Sequence, residues 1–445
     1  MKNRLLKNLI CMLALLLAVS LTLCACDGEK TPPANDEGEH EENNGENNGE
    51  NNGENNTNGE GDAEAAPTLK LGDKDISEYT IVYESPKEKT AMGSYWRQEY
   101  DSGKVTATRL ASLIKEKFNV ELAVYEDQKR TESANEILIG NTNRTQSKID
   151  KIKALDTDEY YVGIANGKLV ICGGAAGTTY HAIDSIEAYF GETVADNAYA
   201  ITDSKLSGSY HLQRIAILGD SISYGALATD YKDNNGRFGY AAQTGRMYWQ
   251  ECTVTSFATP GVCLREDLSG FSTTSLWTQF RSASVQEKFD LILIMLGVND
   301  GYTDAKTGDT WDGVWTAADD ESFLKSMSNL VKRSVGINKD AKVVVMNCPV
   351  YYRSGDPSSP HYYASHYHST PRTLELQAQS VTDLRAEGYD IHLYDMNAYS
   401  KKYTTVSMFP DCLHPNDQGH EIMAKGVVAM LKLLREGKTD EYLVN

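Results

Sequence analysis

Four short motifs in the second half of the 445-residue chain bring together residue types that can do chemistry. Gly219-Asp220-Ser221-Ile222-Ser223 follows the apolar run Ile215 to Leu218, so Ser221 is presented on a tight turn, as a nucleophile must be. Pro260-Gly261 follows a second such run, Thr253 to Phe257, and Gly297-Val298-Asn299-Asp300 follows a third, Leu291 to Leu296. Asp411-Cys412-Leu413-His414-Pro415 lies just before the last helical stretch. Each motif alone is weak, because a serine-containing turn is usually a helix cap. In this order, and each at a predicted strand end, they are a strong joint signal.

The elements that must position them are legible from the hydrophobic pattern. Ile215 to Leu218, Thr253 to Phe257, Leu291 to Leu296, Val343 to Met346 and Ile391 to Tyr394 are short apolar runs without alternation, the signature of buried parallel strands. Helical stretches near Ala241 to Gln250, Glu321 to Val335, Thr373 to Glu387 and Asp417 to Leu434 separate or follow them. Strand-then-helix repetition from 211 to 445 predicts a three-layer α/β/α sandwich with a parallel five-stranded sheet, flavodoxin-like in outline. In such sheets, sites gather at the carboxyl ends of the strands, where the motifs fall.

The four motifs resemble those of the SGNH (GDSL-like) hydrolase superfamily across essentially the whole of 211–445. The resemblance implies Ser221 as nucleophile, Asp411 and His414 as its partners, and Gly261 and Asn299 as the glycine and asparagine of the second and third blocks. Family members often carry an Asn a few residues before that glycine, whereas here the stretch is Ser256-Phe257-Ala258-Thr259-Pro260. On this reading His414 takes the Ser221 proton and Asp411 fixes the imidazole tautomer. The N–H groups of Ser221 and Gly261, with the Asn299 amide, would hold the tetrahedral oxyanion, each donor contributing about 3 to 4 kcal/mol. Neither metal nor cofactor is required.

Nearby polar residues have plainer readings. Asp220 braces the turn and Asp300 hydrogen-bonds nearby backbone, while His420 on the last helix is a surface or packing histidine. His361, His366 and His368 sit in a Tyr-rich loop (Pro360 to Thr370) that could contact substrate but lacks a carboxylate at metal-ligand spacing. Trp311 and Trp315 are either a sugar-stacking platform or packing residues of their own loop.

Residues 67–210 read as a smaller α/β region. Tyr79 to Tyr83 and Glu121 to Tyr125 suit strands, and Val105 to Phe118 suits a helix. Asn166-Gly167 between Tyr160 to Ile164 and Lys168 to Ile171 signals a hairpin. Cys172-Gly173-Gly174-Ala175-Ala176-Gly177 precedes a second helix. It lacks a P-loop's Lys-Ser/Thr ending, and its strand is expected in a hairpin rather than a βαβ unit, so close packing is the default reading. Glu136 to Gly140 with Gly173 to Gly191 resembles the accessory α/β domain that precedes the catalytic domain in bacterial α-glucuronidases and hexosaminidases. That resemblance implies a structural role and a leaning toward carbohydrate.

Residues 1–25 read as an export signal, with Lys2, Arg4 and Lys7 before the apolar Leu9 to Leu23. Leu23-Cys24-Ala25-Cys26 resembles the lipobox of bacterial lipoproteins, which implies Cys26 as the acylated mature N-terminus on the extracytoplasmic face of the membrane. An uncleaved transmembrane anchor is the alternative. Residues 26–66 repeat Glu-Asn-Asn-Gly and supply 12 of the 20 excess negative charges, so they are expected to be an extended, disordered stalk.

That charge balance argues against a nucleic-acid partner, and 40% hydrophobic content with 26 Tyr excludes a wholly disordered chain. Five cysteines follow the leader and stalk, an odd number; Cys252 and Cys263 could pair, though two buried thiols is the preferred reading. The sum is a surface-anchored serine esterase removing acyl groups, above all acetyl, from carbohydrate. A lipid esterase or lysophospholipase, or a catalytically idle surface carbohydrate-binding protein, are the alternatives.

Overall fold

A computed structural model describes residues 66–86, 101–229, 238–268, 273–301, 315–350 and 370–438. The leader, nearly all of the stalk, Trp311 and the three histidines of the Tyr-rich loop lie outside the described residues. Glu64–Asn445 makes one compact unit.

Its first part holds β1 (Thr68–Leu71), β2 (Lys74–Asp75), β3 (Thr80–Tyr83), α1 (Ser102–Phe118), β4 (Val124–Glu126), β5 (Glu136–Ile139), α2 (Asp150–Lys153), β6 (Glu159–Ala165), β7 (Lys168–Gly173), α3 (Ala176–Gly191), β8 (Ala198–Ile201) and β9 (Gly208–Ser209). Two sheets result, ordered β2-β1-β8 and β4-β3-β5-β7-β6-β9. The hairpin forms at Asn166-Gly167, where both residues take positive φ, as a primed turn demands. β7 is the second strand of that hairpin, as expected. It pairs antiparallel with β6 and also parallel with β5, because its Leu169, Val170 and Ile171 are buried and can face helices on either side.

The second part holds β10 (Gln213–Gly219), α4 (Ser221–Tyr224), α5 (Tyr240–Met247), β11 (Cys252–Ser256), α6 (Thr274–Gln286), β12 (Leu291–Met295), α7 (Ala317–Ile337), β13 (Lys342–Met346), α8 (Thr370–Ala386), β14 (Ile391–Tyr394), α9 (Met396–Tyr403) and α10 (Asp417–Arg435). The five strands lie in the order β11-β10-β12-β13-β14, every pair parallel. Alternate side chains serve opposite faces. Ile215, Ile217, Leu291, Leu293 and Val344 pack with Tyr240 of α5 and Met423, Val427 and Met430 of α10. Ala216, Leu218, Ile292, Ile294 and Val345 pack with Phe280 of α6, Phe323 and Leu330 of α7 and Leu376 of α8. Each large side chain so buried contributes about 1.5 to 3 kcal/mol, and this double coverage is why the runs do not alternate. The chain is thus α/β, with a three-layer sandwich around an all-parallel five-stranded sheet.

Register brings the motifs to one edge. Gly219 stands opposite Met295 and Ile217 opposite Ser256. Ser221 therefore leaves its strand two residues beyond a point level with Met295, and Asn299 follows four residues after Met295. Cys252 and Cys263 carry buried thiols rather than a shared disulfide.

Candidate active site

The Ser221 turn is built by its own residues. Asp220 is the N-cap of α4, its Oδ1 accepting the Ile222 N–H at 3.0 Å, and Gly225 ends this single turn in the left-handed region. Ser221 is thereby held at the carboxyl edge of β10 with only 8% of its surface exposed.

His414 arrives not from a strand end, as expected, but from the segment between α9 and α10, whose N-cap is Asn416. The Asp411 carboxylate accepts the backbone N–H of Leu413 at 3.0 Å and of His414 at 2.7 Å through Oδ1, and His414 Nδ1 donates to its Oδ2 at 2.6 Å. A carboxylate can only accept, so Nδ1 carries the proton and Nε2 is left as the acceptor. Ser221 Oγ then donates to His414 Nε2 at 2.8 Å. Burial pushes the Asp411 pKa up, but the His414 ring and the two backbone N–H groups outweigh it and hold the carboxyl below its ordinary value. Between the two residues Cys412 takes φ +67, a left-handed conformation that costs a non-glycine residue roughly 1 to 2 kcal/mol. The turn is kept in that shape by the Cys412 N–H to Phe409 O bond at 2.8 Å and by the Asp411 contacts.

Gly261 lies in a loop five residues past the end of β11, not at the strand end itself, with φ +77 that favours glycine. The loop is tied to β10 by the Thr259 N–H, which donates to Gly219 O at 3.0 Å. Asn299 is 9% exposed and its Nδ2 donates to Val262 O at 3.0 Å. The structure thus links Ser221, His414 and Asp411 in one chain of hydrogen bonds, and ties Asn299 to the Gly261 loop beside β10.

The stretch from residue 215 to residue 427 matches the model of GDSL-like lipase/acylhydrolase. Residues 215–427 form a GDSL-like domain. Among solved structures, the chain is similar to a family two carbohydrate esterase from Clostridium thermocellum in complex with cellohexaose, at 17% identity and TM-score 0.38, covering 53% of this chain and 70% of that one. It is also similar to an acetyl xylan esterase from the rumen bacterium Butyrivibrio proteoclasticus, at 14% identity and TM-score 0.37 over 52% and 67% of the two chains. A carbohydrate esterase family 2 enzyme with a carbohydrate binding domain, from Corynascus thermopiles (Myceliophthora fergusii), matches at 18% identity and TM-score 0.35 over 52% and 69%. No curated protein matches the chain.

Around the GDSL-like motifs the plainer residues fall into place. Asp220 is 1% exposed; burial and the nearby Asp300 charge push its pKa up to about 7, against the Ile222 N–H and His414. Asp300 is 2% exposed and raised by burial to about 6, with the backbone N–H groups of Leu264 and Arg265 opposing. His420 is a packing residue and not a surface one. Its Nε2 donates to Ala226 O at 3.2 Å and its Nδ1 accepts the Tyr240 N–H at 3.3 Å. Trp315 packs against Phe323 and the Arg265 guanidinium, and its Nε1 donates to Asp320 at 2.6 Å, which supports packing over an open stacking platform. Among the described residues, no group of three or more His, Cys, Asp or Glu side chains could hold a metal ion. Asp417 does not stand out in the sequence, yet its carboxylate accepts the Thr229 N–H at 2.6 Å and so ties the loop after Ser221 to the helix after His414. An acidic residue at the first position of a helix was the available signal, but it is read by default as a dipole partner.

Proposed function

We propose that the GDSL-like domain is a serine esterase that removes acetyl groups from carbohydrate through an acyl-enzyme, and that Cys26 anchors it as a lipoprotein outside the cytoplasm. The observation that carries this is the unbroken chain Ser221 Oγ to His414 Nε2, and His414 Nδ1 to Asp411, at the edge of a parallel sheet. His414 takes the Ser221 proton as Oγ bonds to the ester carbonyl carbon. The oxyanion is held by the N–H groups of Ser221 and Gly261 and by the Asn299 amide. Collapse breaks the bond to the sugar oxygen, which leaves with the proton from His414. Water then attacks the acetyl-serine, His414 takes its proton, and acetate departs as Ser221 regains a hydrogen.

Carbohydrate rather than lipid is favoured by loop chemistry. The segments 228–237, 302–315 and 353–362 offer hydroxyls, amides, carboxylates and isolated aromatics, with no aliphatic run to receive a long acyl chain. Anchoring rests on Ala25-Cys26 after an apolar stretch and on the acidic repeat that follows. An N-terminal Cys26 without added lipid mass would count against it. Substrate class is tested with esters of increasing acyl length. The purified protein is expected to cleave acetyl esters far better than octanoyl ones. An acyl tunnel would instead raise kcat/KM by about fourfold per added methylene, at about 0.8 kcal/mol each, and a maximum at eight carbons or more would favour a lipid substrate.

A further inference from the structure

Two neighbours in sequence grip one loop. Asn299 Nδ2 donates to Val262 O at 3.0 Å, while the Asp300 carboxylate accepts the Leu264 N–H at 2.7 Å through Oδ2 and the Arg265 N–H at 2.7 Å through Oδ1. The gripped segment is the one that carries the Gly261 N–H. Its other end hangs from the nucleophile strand through Thr259, and its middle is closed by the Val262 N–H to Thr259 O bond at 3.3 Å. Val262, Cys263 and Leu264 are all buried, so no water can replace a missing partner easily.

The residue type matters here. Two adjacent backbone N–H groups converge on one side chain, which must accept twice. An aspartate has two acceptor oxygens and no hydrogen, whereas an asparagine would turn an NH2 group toward one of those N–H groups. A buried carboxylate is costly to keep without partners, and this one is met by two short charge-assisted bonds. Beyond it the Arg265 guanidinium pairs with Asp267 and Asp319, each at 2.7 Å, which fixes the far end of the loop to the start of α7.

We infer that Asp300 is a positioning residue for the esterase reaction, setting the Gly261 N–H and the Asn299 amide in register as oxyanion donors without touching substrate itself. This rests on the hydrolase reading above. A misplaced donor weakens the bond to the developing O⁻ while leaving the bound ester largely unaffected, so the effect belongs in kcat and not in KM.

The test compares an acetyl ester with its thiono analogue, in which C=S replaces C=O. The sulfur anion formed from the analogue is a poor hydrogen-bond acceptor, so the oxygen-to-sulfur rate ratio reports the quality of the donors. Asp300→Asn is expected to lower kcat on the oxygen ester by about 10- to 100-fold with KM within twofold, and to lower the oxygen-to-sulfur ratio by about tenfold. A purely structural role would reduce both rates alike by reducing the folded fraction, and would leave the ratio where it was. Where Asp300→Asn does not fold, Asp300→Glu keeps the charge but reaches one methylene too far, and is read by the same ratio. An unchanged ratio, with Ser221→Ala inactive, overturns the Asp300 role alone. Activity persisting in Ser221→Ala overturns both the Asp300 role and the hydrolase reading.

Discussion

Both parts of the folded unit place a glycine-containing turn at the end of a parallel strand, followed by a helix, yet they gather different side chains there. In the first, β7 runs into Gly173-Gly174-Ala175 and α3. The carboxyl ends of β3, β5 and β7 border a cavity of about 670 Å3 whose lining includes Glu84, Asp101, Ser102, Lys148, Lys153 and Cys172. No histidine lines it among the described residues. In the second, β10 runs into Gly219-Asp220-Ser221, and a Ser, a His and an Asp join in series. Parallel architecture alone supplies the crevice of the first. What the second adds is one hydroxyl with a base beside it, and a carboxylate behind the base.

The largest effect expected from breaking this contrast is at Asp411. Asp411→Asn keeps the shape but can present an N–H2 group to His414 Nδ1, favouring the wrong tautomer. It should lower kcat by up to about 10⁴-fold with the fold retained. Steady-state kinetics beside a circular dichroism spectrum checks this, and a loss below tenfold would mean that another group orients His414.

A smaller effect sharpens the contrast from the other side. An alanine Cβ at Gly174 would overlap the Asp156 carbonyl, and Leu155 O lies 3.0 Å away. Gly174→Ala should therefore cost about 1 to 3 kcal/mol of stability, while kcat per titrated active site stays at the wild-type value. Denaturant midpoints with active-site titration decide it. A fall in kcat would show that the first region takes part in the chemistry.

A third effect separates two histidines. His181 of the first region has a carboxylate partner, Asp184 at 2.6 Å, whereas His420 is fully buried between two backbone groups of opposite kind, the Ala226 carbonyl and the Tyr240 N–H. Burial lowers the His420 pKa to about 4, below the ordinary value near 6.5. Between those values the unfolded chain binds a proton that the folded one refuses. The contribution to stability is full above pH 6.5 and is lost as pH falls through 4, by about 3 kcal/mol at most. His420→Gln should be less stable at pH 8 but show a flatter decline from pH 6.5 to 4. Urea midpoints across that range with an unchanged slope would contradict this.

How far the sequence could be read follows from how local each signal is. β12 and β13 are legible because both faces are covered, which turns their code into an unbroken apolar run. The helix Thr274–Gln286 escaped notice because its buried stripe is only Leu276, Phe280 and Ser284, too narrow and too polar to stand out. Met396–Tyr403 escaped for a related reason, since only Met396 and Ser400 are buried. At the site, the three-residue offset of Asp411 and His414 was legible. The left-handed Cys412 was not, because glycine and asparagine are the residues that announce such a turn. Asp300 and its grip on residues 264 and 265 join positions 35 and 36 apart, a pairing that no local pattern encodes.

The central claim is that Ser221 is the nucleophile, activated by His414. It is tested most directly by treating the native protein with a fluorophosphonate and locating the modified residue by peptide mass spectrometry. One stoichiometric adduct is expected, on Ser221, formed quickly in the wild type and at a small fraction of that rate in His414→Ala. An adduct on another serine, or labelling of Ser221 at the same rate without His414, would contradict it.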